Sequence, residues 1–343
     1  VAGPEKGLPT STTAREGRKQ SSGVEALEKR LGRYGNAAAR QRKNLAYLEQ
    51  LLDAGRHSTP DMLNPVWPDV FKYVLDDDLR ALKAKLENCG EWLQFRRFQE
   101  TGATHLYRAS LCRVDLLCPL CAIQRGNKHL RNYKAKFEVL RNGYPHLTPV
   151  LLTLTIKNGF GLQERSDHLF SSVEKIKGKR RNIKSGGRCH SEFSKIAGAV
   201  GSYEISYSEE KGWHPHLHIV AFITSKIDQK ALSKEWLAIT GDSFVVDIRK
   251  IDEKNLSKSL NEVFKYALKF HSLTPAQAFE CYLVLKHRKK LFSLGIMRGV
   301  QTPKNTTMEG LEDAPYDELQ YWFRNGKYRP SSLAAKKLHG GDG

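Results

Sequence analysis

The chain has 343 residues, 40% of them apolar, which suffices for one large or two modest domains with a hydrophobic core and excludes a wholly disordered chain. Lys and Arg outnumber Asp and Glu by 56 to 37, a formal charge of +19, and this excess points to a polyanionic partner, because neutralising phosphates releases counterions. No apolar run approaches the roughly 18 residues that a membrane span needs, and Val1 to Gly23 lacks the apolar core of a secretion signal, so a cytoplasmic protein without disulfides is expected.

Residues 1–23 are rich in Gly, Ser, Thr, Lys and Arg and are expected to form a disordered basic leader. From Val24 to Ala54 the stripe Leu27, Leu31, Tyr34 and its continuation Leu45, Leu48, Leu52 have helical spacing. Arg30, Arg33, Arg40, Arg42 and Lys43 lie between these positions. Pro60, Pro65 and Pro68 interrupt the pattern, and a second helix is predicted from about Asp69 to Glu87. This helical region, residues 24–85, either reads DNA or covers the core.

Residues 86–125 contain Cys89, Cys112, Cys118 and Cys121 in the spacing C-x22-C-x5-C-x2-C. Two thiols held close on a turn can chelate one Zn²⁺, and two more complete a closed tetrahedral site, which is structural because no position stays open for catalysis. Four buried, unliganded cysteines are the alternative. Cys189 and Cys281 fall outside the pattern.

Residues 126–300 mix helices with strands and read as one α+β domain. A basic helix is predicted over Ala122–Arg141, and the β-branched run Pro149–Ile156 reads as a strand closed by Asn158-Gly159. A helix over Glu164–Ile176 follows. The run Lys175–Arg188, with Gly186-Gly187, then reads as a loop that is either merely solvated or tracks DNA. Strands Val200–Tyr207 and Trp213–Thr224 flank the polar turn Ser208–Gly212. Beyond them come a helix Gln229–Ala238, a strand Ser243–Lys250 and helices Asn255–Phe270 and Pro275–Lys290. Residues 301–343 form a polar C-terminal tail, expected to be loosely ordered.

Within Trp213–Val220, residues two apart share a face of the strand, so His214, His216 and His218 point one way while Leu217 and Ile219 point into the core. Adjacent imidazoles on a rigid strand supply half of a metal site. If the preceding hairpin turns near Glu210, Glu204 lies opposite His216 on the same face and offers a third ligand; alternatively it pairs with a nearby Lys or Arg. Two imidazoles and a carboxylate suit Mn²⁺ or Mg²⁺, with positions left for phosphate oxygens and water. On the helix from Asn255, Leu260, Phe264 and Leu268 form an apolar row, and Glu262, Tyr266 and Lys269 cluster on the other side. That cluster is either a solvated Glu–Lys pair beside an exposed tyrosine or a presented nucleophile.

Together these segments resemble the HUH endonuclease superfamily, and more narrowly the single-tyrosine rolling-circle replication initiators of small bacterial plasmids. The resemblance runs through Cys89-Gly90, Cys118-Pro-Leu-Cys121, Leu152-Thr-Leu-Thr-x-Lys-Asn158, Trp213–His218, Trp236–Asp247 and Glu262-x-x-Lys-Tyr266-x-x-Lys269, covering residues 86–300 and not the first 85. It implies a five-stranded antiparallel sheet with helices packed on it, with the histidines on a central strand. It further implies that His216 and His218 hold the divalent metal and that Tyr266 is the nucleophile. The partner it implies is a plasmid double-strand origin, single-stranded at the nick, with a host helicase and polymerase. No second tyrosine lies one turn from Tyr266, since positions 262 and 270 are Glu and Phe. That resembles the branch in which the glutamate assists termination. A single-strand transposase or relaxase of the same superfamily, or a zinc-containing DNA-binding protein without catalysis, are the competing readings.

Overall fold

The structure, a computed structural model, describes residues 11–54 (11–22 by backbone alone), 76–252, 255–264, 273–302 and 314–339. It is α+β, built on two antiparallel sheets, one of five strands and one of four. The elements in chain order are α1 (Ser11–Ala54), α2 (Asp76–Glu87), β1 (Trp92–Phe98), β2 (Thr104–Ala109), α3 (Pro119–Gly143), β3 (Thr148–Thr155) and α4 (Leu162–Lys184). They continue with β4 (Ile196–Ser208), β5 (Gly212–Ile223), α5 (Gln229–Thr240), β6 (Val246–Lys250), α6 (Leu256–Phe264) and α7 (Pro275–Leu285). The chain then forms β7 (Leu291–Gly295), β8 (Tyr316–Arg324), β9 (Lys327–Pro330) and α8 (Ser332–His339).

The five-stranded sheet has the order β6-β3-β5-β4-β7, with the histidine strand β5 at its centre. Both faces are buried, which is why its middle strands carry almost unbroken apolar runs. On one face Leu152, Leu154, Leu217 and Ile219 meet Leu169 and Val173 of α4 and Leu232 and Trp236 of α5. On the other, Leu151, Val200, Val220 and Phe222 meet Phe137 and Leu140 of α3 and Leu260, Val263 and Phe264 of α6. Each such aliphatic side chain contributes roughly 1.5–3 kcal/mol when fully buried. Local chemistry fixes the helix ends: the Asp228 side chain accepts from the Lys230 and Ala231 N–H groups at the start of α5, and Gly241 closes that helix at φ +79°.

The second sheet, β2-β1-β8-β9, lies under α1. Leu93, Phe95, Leu319 and Tyr321 point into a core with Leu27, Tyr34 and Leu48 of α1, Phe279 of α7 and Ala334 of α8. Gln41 and Asn44, buried on α1, donate to the carbonyls of Leu86 and Leu117 and tie this helix to the cysteine segment.

Several expectations are corrected here. The expected leader is helical from Ser11 onward, as part of α1. The basic run after Lys175 is not a loop up to residue 184, because α4 extends to Lys184; its Arg180 is buried and donates to the carbonyls of Ile196 and Ala197. The helix expected to reach Lys290 ends at Leu285, and Leu291–Gly295 forms the edge strand β7. The polar tail folds into β8, β9 and α8, and β8 lies in the middle of the four-stranded sheet. Its outward residues are Glu318, Gln320 and Trp322, so a one-sided strand reads as polar when averaged. The start of the second helix before Asp76 lies outside the described residues. Among the described residues, no helix is long and apolar enough to cross a membrane.

Candidate functional site

The geometry of the histidine face follows from the β4–β5 hairpin. Its tight turn brings Gly212 to φ +73°, where an added Cβ would lie 2.6 Å from the Gly159 carbonyl oxygen. The pairing runs Ser208↔Gly212, Ser206↔His214, Glu204↔His216 and Ser202↔His218, so Glu204 stands opposite His216 as the sequence suggests. The same Glu204 oxygen, Oε2, lies 3.5 Å from His216 Nε2 and 3.2 Å from His218 Nε2.

The other ring nitrogens are engaged from behind. His216 Nδ1 lies 3.3 Å from the His214 carbonyl oxygen and must donate to it, which leaves Nε2 as the acceptor when the ring is neutral. His218 Nδ1 meets Thr153 Oγ1 at 3.1 Å, from the directly opposite residue of β3. Anchored imidazoles of this kind are how proteins orient metal ligands. Glu204 and His216 are buried, and their ligand atoms and that of His218 lie within 4.8 Å of one another. Two ligands held roughly 2.1–2.2 Å from one ion at near-right angles are about 3.0 Å apart, close to the spacing here. The donor set therefore fits a divalent cation.

His214 shares this face but is not brought into the group; its Nδ1 is hydrogen-bonded to the Asn158 side chain after β3. Sequence reasoning missed Thr153 as the anchor of His218 and Asn158 as that of His214. The signal was there: Thr153 and Thr155 interrupt the apolar run of β3, and Thr153 lies directly opposite His218.

The helix α6 packs on the same sheet face as the histidines, its Leu260, Val263 and Phe264 buried as expected and Glu262 half-buried. Tyr266 and Lys269 lie outside the described residues. Phe264 stacks on Tyr133 of α3 at 4.9 Å and on His129 at 6.3 Å. Burial, then the charges of Arg125 and Lys128, hold His129 below the ordinary histidine range. Burial likewise lowers Lys290, against the opposing pull of Asp115.

The four cysteines converge as a second group. Cys89 follows α2, Cys112 follows β2, and Cys118 and Cys121 open α3, where Cys118 is the N-cap and Pro119 the first helical residue. The Sγ atoms of Cys89 and Cys118 are 3.5 Å apart, those of Cys89 and Cys121 3.6 Å, and those of Cys112 and Cys121 3.5 Å. Four sulfurs at about 2.3 Å from one tetrahedral ion are roughly 3.8 Å apart, so this cluster also fits a metal. Backbone N–H groups of Cys112 and Arg113 point at Cys89 and Cys121 Sγ. Hydrogen bonding from the Cys112 thiol, then from Cys118, pulls both Cys89 and Cys121 down toward the thiolate form. Cys281 is buried core and Cys189 exposed, apart from the group.

The chain is 28% identical over 205 residues to a "Protein rep" of Streptococcus pneumoniae serotype 2, covering 55% of this chain and 60% of that protein. It is 30% identical over 183 residues to a "Protein rep" of a Bacillus species, covering 50% and 55%. A third, from Bacillus amyloliquefaciens, is 28% identical over 197 residues, covering 52% and 54%. The chain thus spans between 54% and 60% of these relatives' lengths. No solved structure matches it significantly. The model of the replication protein family matches residues 103–296, more than half of the chain, including α3, the interior strands β3, β4 and β5 and the Glu204–His216–His218 group, and on that match the chain belongs to the replication protein family.

Proposed function

We propose that this protein initiates rolling-circle replication of a plasmid by nicking one strand of the double-strand origin. The observation that carries this reading is the convergence of Glu204 Oε2, His216 Nε2 and His218 Nε2 on the sheet face that α6 covers, a helix described as far as Phe264, two residues before Tyr266 in sequence. Glu204, His216 and His218 would hold Mn²⁺ or Mg²⁺, which when bound polarises the scissile phosphate and offsets charge developing on its oxygens. Tyr266 attacks phosphorus through its phenolate oxygen. The P–O3′ bond breaks, a 3′-OH leaves as the primer, and the phosphodiester is conserved as a 5′-phosphotyrosine. Rejoining reverses these bonds without ATP. Lys269 favours the phenolate or holds a phosphate. Cys89, Cys112, Cys118 and Cys121 would hold Zn²⁺ as a structural brace beneath α3.

The test is covalent capture. A single-stranded origin oligonucleotide with Mn²⁺ should leave a labelled adduct on the protein under denaturing electrophoresis. Tyr266→Phe should bind the DNA and form no adduct, while His216→Ala and His218→Ala should lose cleavage and keep binding. An adduct on the Tyr266→Phe protein refutes the assignment.

A further inference from the structure

Among the described residues, the four-stranded sheet is covered by α1 on one face and half-exposed on the other. Strand alternation sends Leu93, Phe95, Leu319 and Tyr321 beneath α1 and turns their neighbours outward. On the outward face Trp92 stands opposite Trp322, Gln94 opposite Gln320, and Arg96 opposite Glu318. The β1–β2 register shifts between Gln94 and Phe95, with Gln94 opposite Arg108 and Phe95 opposite Leu106, so Tyr107 is the bulged residue. Bulges re-aim side chains, and here Tyr107 and Arg108 are both exposed.

These side chains form an ordered stack. The Arg96 guanidinium lies 3.5 Å from the Tyr107 ring centre and 4.1 Å from that of Tyr316. Arg108 lies over Tyr107 at 4.9 Å, and Arg324 over Trp322 at 5.9 Å. A guanidinium stacked on a ring keeps its N–H edges available for phosphate or base edges. Arg329, exposed on β9, pairs across from Trp322. Of the carboxylates of β8, Asp317 pairs with Arg97, which also donates to the Lys337 carbonyl of α8 on the covered side, and Glu318 accepts from Gln94 and lies 3.9 Å from Arg96 Nε, so Arg96 is a neutralised, half-buried spacer between the rings.

We propose that this outward face binds single-stranded DNA, stacking unpaired bases on Tyr107 and Trp322 and holding phosphates with Arg108, Arg324 and Arg329. Exposed rings interleaved with arginines on an antiparallel sheet are complementary to bases and backbone together. A duplex hides its base faces, so the rings favour an unpaired strand. An apolar protein partner would leave the stacked guanidinium groups desolvated and unpaired. From this sheet α3 leads to the histidine face and carries exposed Arg125, Lys128, Arg131 and Lys134, spread around the helix, with Arg125 paired to Asp115. The binding is read without cleavage, so its outcome is independent of the nicking reading.

The experiment compares fluorescence anisotropy of the full chain with a labelled oligothymidylate of about twenty nucleotides and with a duplex of equal length. Tyr107→Ala combined with Trp322→Ala should weaken oligothymidylate binding roughly tenfold or more, from stacking on two rings, and leave duplex binding unchanged; Tyr107→Phe with Trp322→Phe should restore it. Unchanged oligothymidylate affinity, or an equal loss on duplex, overturns the proposal. Self-association of the wild type that the alanine variant loses would instead make the face a contact between copies. Should the alanine variant misfold, photocrosslinking of a bromodeoxyuridine oligonucleotide to the wild type decides: adducts within Thr104–Ala109 or Tyr316–Arg324 are expected, and adducts confined elsewhere overturn the proposal.

Discussion

At the residue scale, the proposed metal site requires both rings to keep Nε2 turned toward Glu204. Thr153 holds His218 by one hydrogen bond to Nδ1 across the β3–β5 pair. Thr153→Val preserves shape and removes that bond, so Mn²⁺ affinity should fall roughly 10–100-fold, as when other outer-shell partners are lost. Thr153→Ser should restore most of it in the same calorimetric titration, and an unchanged affinity in the valine variant would show that packing alone orients the ring. Glu262 raises a different question, since it is half-buried on α6 and lies four residues before Tyr266. On the proposed nicking reading, with no tyrosine at position 262 or 270, release after one round would need an activated water or an external nucleophile. Glu262→Ala should nick at a near-normal rate and fail to release, giving plasmid strands longer than one unit. Unit-length strands with normal timing would make Glu262 a helix-surface residue only.

At the element scale, the start of β4 and the N-terminus of α5 are joined by one buried carboxylate. Glu192 accepts from Lys195 Nζ at 2.8 and 2.6 Å and from the Asp228 N–H at 2.7 Å, where Asp228 caps α5. Burial alone would raise its pKa, but the Lys195 and Asp228 bonds outweigh burial and hold it below the ordinary value. A carboxylate lowered on folding contributes stability that is complete above its unfolded pKa of about 4.3 and is lost as pH falls through the folded value. Glu192→Gln should therefore cost roughly 1–3 kcal/mol at neutral pH and less as acid protonates the wild type, so the two denaturation midpoints should converge below about pH 4. A constant gap across that range would mean that the residue acts by packing rather than charge. The same scale shows what sequence alone could reveal. The pairing of Glu204 with His216 was legible because a hairpin with a polar turn has few registers and a buried face tolerates one. β7 was not, because five residues after a helix carry too little pattern, and β1 and β2 were hidden within a segment read only for its cysteines. His214 was grouped with the other histidines because alternation gives the face of a side chain and not its partner; Asn158, far in sequence, takes its ring.

At the scale of the whole molecule, strands β8 and β9 meet the N-terminal half of the chain beside the cysteine cluster. β8, from residues beyond 315, pairs with β1 over its full length, from Trp92↔Trp322 to Phe98↔Tyr316. Tyr328 of β9 is buried and donates to the Gly90 carbonyl at 2.8 Å, one residue from Cys89. Gly90 has φ +74°, and an added Cβ would meet Leu120 of α3, so this turn is held between the tail strands and α3. Removing residues 314–343 would strip β1 of one ladder and take Leu319, Tyr321, Tyr328 and Ala334 out of the core that also contains three of the cysteines. The lost burial, at roughly 1.5–3 kcal/mol per large side chain, is comparable with the stability of a whole domain. The five-stranded sheet shares no strand with this unit. The truncated protein should therefore lose bound zinc and become protease-sensitive before residue 125, while the segment from α3 to β7 stays protected and still binds Mn²⁺. Retention of one zinc per truncated chain, with an intact N-terminal region, would mean that α1 and the cysteines hold this unit together without the tail strands. Loss of Mn²⁺ binding along with zinc would mean instead that the two sheets fold as one cooperative body.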